Sequence, residues 1–443
     1  MPAAADDTPL TAAEADCLLA PFASASGLVL AVSGGSDSLA LLVTVDGWRR
    51  RAGFEGPIVV ATVDHGLRPQ SGAEAVMVAA VAATIGLPHR TQSWEGPRPT
   101  TGIEAAAREA RYSLLLALAR EIGASHVLTA HHLDDQAETV LMRLGRGSGL
   151  SGLAGMATER ALGDGVTLAR PFLAIGKHRL AAVTAAAGLV AAVDESNADP
   201  RFARARLRSA LPILAPEGIN AAGLARTAAL LRRANDALEH YVDRFMQASA
   251  NVDALAVVRI DRAALGHEPM EVRLRILDRV VAGIGGAAWP ARTEQAEALA
   301  ELTVSGRPFR RTIRGAVVAG RGTMLEIYRE AGRRPLPTVP IAAGYSGVWD
   351  HRFRIVVPRA PNTGLTLGPL GDDGRLAVGL VGAGRATHMM VLPAFRLAER
   401  VVAVPPLGLF DDAAKDLRLE AACVLAETLR IERDDAGGSV AQP

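Results

Sequence analysis

Leu28-Val29-Leu30-Ala31-Val32, followed at once by Ser33-Gly34-Gly35-Ser36-Asp37-Ser38 and then by Leu39-Ala40-Leu41-Leu42-Val43-Thr44-Val45, is the stretch that decides the fold. The first five residues form a short apolar run of the kind a buried parallel strand uses, and the last seven open a helix. A strand that feeds a helix through so short a loop directs several backbone N–H groups and the positive helix end at one point. Its glycines and serines let anion oxygens approach the backbone. The loop therefore reads as an anion cradle; the alternative is a plain Gly-Ser turn with Asp37 as a helix cap. Neither the G-x-x-x-x-G-K pattern with its lysine nor G-x-G-x-x-G describes this loop.

Outward from it, β-rich runs alternate with helical patterns as far as about Val193. The runs are 28–32, Ile58 to Val63, His89 to Trp94, HVLTA around Val127, and Val166 to Ala169. Helices are predicted near 39–51, 73–85, 103–122 and 134–144. This alternation predicts an α/β fold with an open, doubly wound parallel sheet, whose ligands bind at the carboxyl ends of the strands. Pro200, Pro212, Pro216 and Gly218 then break the pattern, and a helix is predicted from Ala221 to Ala248. Three domains are expected: 1–215 catalytic; 216–335 helical and mixed; 336–443 small and β-rich, with a helix near Asp411 to Ile431. Residues 335–340 read as a linker and the last ten residues as a loose tail.

Hydrophobic residues at 49% and charged residues at 21% are globular values. The net charge of +1 gives no global field for nucleic acid. All the basic residues except Lys177 and Lys415 are arginine, so RNA contacts would come from local arginine clusters; genomic base composition is the alternative cause of that bias. Cys17 and Cys423 stand apart without a C-x-x-C or a Cys/His cluster, which argues against a disulfide framework, a zinc ribbon or an iron–sulfur site. No secretion signal or membrane span is legible, and a cytoplasmic protein is expected.

A second motif is His131-His132-Leu133-Asp134-Asp135-Gln136-Ala137-Glu138-Thr139, at a strand end and a helix start. Asp134, Asp135 and Glu138 are three and four apart and share one helical face, where like charges cost stability that the helix dipole offsets only in part. Such a cluster suits a cation, either magnesium or the ammonium of an amino acid. The alternative is an acid-capped helix preceded by two satisfied histidines.

Together, S-G-G-x-D-S and H-H-x-D-D-Q-A-E-T resemble the pattern of the tRNA(Ile)-lysidine synthetases, in the N-type ATP pyrophosphatase (PP-loop) superfamily. Val63-Asp64-His65-Gly66-Leu67-Arg68 is similar to that family's V-D-H-G-L-R. Ile103-Glu104-Ala105 through Arg108, Arg111 and Tyr112 resembles I-E-A-A-A-R-x-x-R-Y. Arg146 to Met156 resembles R-G-x-G-x-x-G-L-x-G, Arg170 to Leu173 resembles R-P-L-L, and Asp194 to Asp199 resembles D-x-S-N-x-D. From Phe202 to Arg208 the chain departs from Y-x-R-N-x-(I/L)-R: Phe202 replaces the tyrosine and Ala205 the asparagine, while Arg204 and Arg208 remain. The resemblance is strong over about 25–215 and thin beyond.

It implies a PP-loop ATPase fold in which Ser33, Gly34, Gly35, Ser36, Asp37, Ser38, Asp64 and His65 bind ATP. Asp37 and Arg111 are implied to be catalytic, with Asp37 holding magnesium. Asp135 and Glu138 are implied to bind lysine, and His131, His132, Arg204 and Arg208 to contact tRNA or phosphate. Arg201 would share the face of Arg204 and Arg208. The implied cofactors are ATP and Mg2+, and the implied partners a tRNA(Ile) with a CAU anticodon and free L-lysine; a homodimer is left open. The implied reaction ligates lysine to C2 of the wobble cytidine through an adenylated intermediate. The rival readings are a tRNA thiolase on the same scaffold, a glutamine-dependent amidotransferase, for which no glutaminase cysteine motif is present, and a nucleotide-binding sensor without chemistry.

Overall fold

The computed structural model describes residues 7–66, 71–95, 102–192, 203–286, 293–332, 336–361, 364–379 and 386–433. Contacts divide the chain into two compact units, one up to Asn235 and one from Asp236 onward.

In the first unit, α1 (Ala12–Leu19) precedes β1 (Leu28–Ala31), α2 (Ser36–Ala52), β2 (Ile58–Asp64), α3 (Ser71–Thr84), β3 (His89–Ser93) and α4 (Ile103–Glu121). Then come β4 (His126–Thr129), α5 (Leu133–Leu144), α6 (Leu150–Leu153), β5 (Glu159–Gly163), β6 (Val166–Ala169), α7 (Lys177–Ala186), α8 (Ala203–Leu214) and the start of α9 (Ala221–Ser249). One six-stranded sheet runs in the order β3-β2-β1-β4-β6-β5. All its pairings are parallel except that of β5 with β6. The sequence reading did not find β5: Glu159-Arg160-Ala161-Leu162-Gly163 has no apolar alternation, and as an edge strand it needs only one neighbour.

The pleat explains the apolar runs. Leu28 and Leu30 face one side, with Leu39, Leu41, Leu42, Val45, Trp48 and Leu180 from α2 and α7. Val29 faces the other side, with Tyr112, Leu115 and Leu118 from α4. Both faces are covered, so β1 is apolar throughout instead of alternating. The strand order reverses around β1, which has β2 on one side and β4 on the other. The crevice beyond the carboxyl ends of β1 and β4 is the switch point where such sheets bind ligands.

The second unit carries a six-stranded sheet in the order Glu432–Arg433, Ala250–Val252, Val258–Asp261, Met324–Arg329, Ala316–Arg321 and Phe309–Ile313. Five-stranded and three-stranded antiparallel sheets accompany it, and one apolar core runs from Val242 to Ile431. Within the expected linker, Leu336 is buried in that core and Val339–Pro340 pairs as a short strand. The helix expected over 411–431 is corrected: Glu420–Cys423 is a strand paired with Phe353–Val356, Lys415–Leu417 is a single 3-10 turn, and only Leu425–Leu429 is α-helical. Arg418 and Arg430 adopt left-handed backbone that a continuous helix forbids, and the pairing with the Phe353 strand overrides the local pattern. Among the described residues no helix is long and apolar enough to cross a membrane.

Candidate active site

The loop after β1 is held by its own side chains. The Ser33 N–H donates to Ser38 Oγ at 3.1 Å, and Ser38 Oγ donates to the Gly35 carbonyl at 2.8 Å. Gly34 has φ +90°, and a Cβ there would also come within 3.0 Å of Met77 Cε, so two separate constraints favour glycine. Gly35 occupies the N-cap of α2 and brings no side chain to it, so the first turn's amides keep their anion-binding capacity.

Asp37 lies in that first turn. Its Oδ2 is 3.4 Å from His132 Nε2, while Oδ1 is buried without a hydrogen-bond partner. An ionised oxygen left so is a strong acceptor awaiting a cation or a donor. Among the described residues no group of three or more His, Cys, Asp or Glu is placed to hold a metal. A single carboxylate oxygen beside an anion cradle matches a cation completed by substrate phosphates, as magnesium prefers.

His132, only 2% exposed, meets Asp37, and its ring nitrogens also lie 3.5 Å from carboxylate oxygens of Asp134 and Asp135. Burial opposes its protonation, but Asp134, Asp37 and Asp135 together pull the ring up to about 10. The Asp135 N–H also approaches His132 Nδ1 at 3.4 Å, a bond only a neutral ring could accept. With three carboxylates around it the cation prevails, and Nδ1–H turns to Asp134. Asp134 also accepts the Lys177 N–H at 2.9 Å, and His132 above all holds its carboxyl down at about 2.

His131 has the opposite surroundings. Burial first, and then Arg170, Arg108, Arg111 and Arg204, press it down to about 3, and Thr129 Oγ1 lies 2.8 Å from its Nδ1. Arg111 Nη2 is 3.4 Å from His65 Nε2, whose partner nitrogen Nδ1 is buried and unpartnered. Asp64 accepts the Gly66 N–H at 2.7 Å and so shapes the turn after β2. Tyr112 is clasped between Arg108 and Arg160, whose guanidinium carbons lie 5.0 and 4.8 Å from the ring centroid. Arg170 is buried and donates to the Ala157 carbonyl at 2.7 Å.

Glu138 is 1% exposed and pairs with Arg208, whose Nε and Nη2 lie 2.8 and 2.7 Å from Oε1. Residues 193–202, and with them the expected D-x-S-N-x-D segment and Arg201, lie outside the described residues, as do Leu67 and Arg68.

Residues 9–214 match the PP-loop domain family. The chain is 46% identical over 340 residues to the tRNA(Ile)-lysidine synthase of Rhodopseudomonas palustris, covering 74% of this chain and 98% of that protein. It is 48% identical over 337 residues to that of Methylobacterium sp. strain 4-46, covering 74% and 96%. The chain belongs to the tRNA(Ile)-lysidine synthase family. Membership makes it an ATP-dependent enzyme of transfer-RNA modification. Among solved structures, it is similar to the U34-tRNA thiolase NcsA of Methanococcus maripaludis at 15% identity and TM-score 0.42, over 50% of this chain and 79% of that one, too distant to weigh on function.

Within the synthase frame, the loop 33–38, His131, His132 and Asp135 follow strands β1 and β4, and Asp64 and His65 end or follow β2, all on the carboxyl edge of one sheet. The sequence reading missed Gln136 and Arg232. The Met156 N–H donates to Gln136 Oε1 at 2.7 Å, and Gln136 Nε2 donates to the Met156 carbonyl at 3.0 Å. Arg143 donates to the carbonyls of Gly152 and Gly155, and Arg232 to those of Ala154 and Gly155. The synthase-like glycine segment is thus fastened to α5 by its backbone. The one available signal was a glutamine on the apolar side of an amphipathic helix.

Proposed function

We propose that this enzyme adenylates O2 of the wobble cytidine of a tRNA(Ile) with a CAU anticodon and then joins free L-lysine to C2, forming lysidine in the cytoplasm. The observation that carries the reading is Asp37 in the uncapped first turn of α2, with Oδ1 buried and unpartnered. In this reading the amides of that turn, with Ser33, Ser36 and Ser38, hold the β- and γ-phosphates of ATP. Asp64 and His65 complete the nucleotide site. Asp37 would hold magnesium, which when bound would neutralise charge on the departing pyrophosphate.

Cytidine O2 forms a bond to the α-phosphorus as the bond to pyrophosphate breaks. Arg111 faces the charge that develops there, and Arg204, exposed beside His131, holds RNA or nucleotide phosphate. The lysine ε-amine then bonds to C2, the C2–O2 bond breaks, and AMP leaves with that oxygen. Asp135 and Glu138 hold the ammonium and take the proton the amine must lose; burial raises the proton affinity of Glu138, against the pull of Arg208. His132 lies 3.4 Å from Asp37 and 3.5 Å from Asp135 and holds both carboxyl groups in place.

Incubation with α-labelled ATP and bulk tRNA tests the reading. Label should appear on RNA without lysine and be released as AMP when lysine is added. Transfer of sulfur, or ATP binding without RNA labelling, would replace it with the thiolase or the sensor.

A further inference from the structure

Glu138 is the most deeply buried acid on α5, and its two oxygens are unequal. Both Arg208 contacts fall on Oε1, whereas Oε2 is buried with no partner. Arg208 is 37% exposed and comes from α8, so an outer residue restrains an inner one. Three residues earlier, Ala205 stands where the family has asparagine and is buried. That face of α8 therefore offers Glu138 the guanidinium and no competing amide.

We propose that Arg208 is a positioning residue that fixes Glu138 through Oε1 and leaves Oε2 as the single directed acceptor for the ammonium of the incoming lysine. The inference rests on the lysine-ligating reading above. It replaces a direct phosphate contact for Arg208: reaching a phosphate would mean leaving Oε1 and stranding a buried carboxylate, which is strongly unfavourable. Burial raises the proton affinity of Glu138, and the pairing with Arg208 works against that rise. With one oxygen pinned, the depth at which an amine is captured is set, and the site measures side-chain length.

The test uses the full chain with tRNA and compares wild type, R208Q and R208K. The KM for lysine should rise by about tenfold to a hundredfold in R208Q and less in R208K, and in both variants it should rise more than the KM for tRNA. Selectivity for lysine over ornithine, as a ratio of kcat/KM, should fall by about tenfold, a change that loss of folded protein alone does not produce. An unchanged lysine KM with a raised tRNA KM makes Arg208 a phosphate contact and overturns the proposal, as does unchanged selectivity in R208K, whose retained charge protects folding. If wild-type enzyme adenylates tRNA but never attaches lysine, the functional reading itself fails, an outcome separate from these.

Discussion

His131 and His132 are adjacent in the chain and opposite in charge: burial and then arginines keep the first neutral, and carboxylates, against burial, make the second an imidazolium. The pair divides the carboxyl edge of the sheet into a region that receives anions and one that receives a cation. In the proposed reaction, nucleotide and RNA phosphate would use the first, and magnesium or lysine the second.

This relationship predicts a stability maximum near neutral pH. His131 is lowered in the fold, so between about pH 6.5 and 3 the unfolded chain binds the extra proton and stability declines as pH falls. His132 is raised, so its contribution is complete below about pH 6.5 and is lost as pH climbs toward 10. Urea unfolding in magnesium-free buffer should show H131Q flattening the acid limb and H132Q the alkaline one. Identical pH profiles for wild type and both variants would show that the two environments are not as described.

Asp37→Asn keeps the shape of the first turn of α2 but removes the charge of the orphaned oxygen. Pyrophosphate release should drop by about a hundredfold or more, with the melting temperature little changed. Wild-type turnover in this variant would remove Asp37 from the reaction.

Arg204 is exposed and contributes to the positive surroundings of His131. R204E should raise the KM for tRNA several-fold more than that for ATP, and R204A should reduce the salt dependence of tRNA binding by a slope of about 1. Equal effects on both substrates would count against an RNA contact.

Gly155 has φ +66°, and a Cβ there would lie 2.7 Å from Gln136 Oε1. Gly155→Ala should destabilise the first unit by about 1–3 kcal/mol, read from the urea midpoint. An unshifted midpoint would mean that the glycine segment is free to move away from α5.

The parallel sheet and the loop at Ser33 were legible because β1 is buried on both faces and because a strand, a small-residue loop and a helix follow one another without interruption. The acids of α5 were also legible, since three- and four-residue spacing fixes a helical face. Their partners were not. Arg208 reaches Glu138 across 70 residues, and Asp37 meets His132 only because β1 and β4 are neighbours in the sheet. Opposite charge states for two adjacent histidines cannot be read from a pattern in which both look alike. The helix expected over 411–431 failed because strand pairing with the Phe353 segment outweighs local preference.

The most direct measurement follows labelled lysine into RNA. Enzyme, ATP, magnesium and tRNA bearing a CAU anticodon, incubated with labelled lysine and digested to nucleosides, should yield label on the wobble cytidine alone, with one AMP and one pyrophosphate released per lysine joined. Label that stays free while ATP is consumed, or that enters RNA without the Ser33 to Ser38 loop binding ATP, would contradict the account.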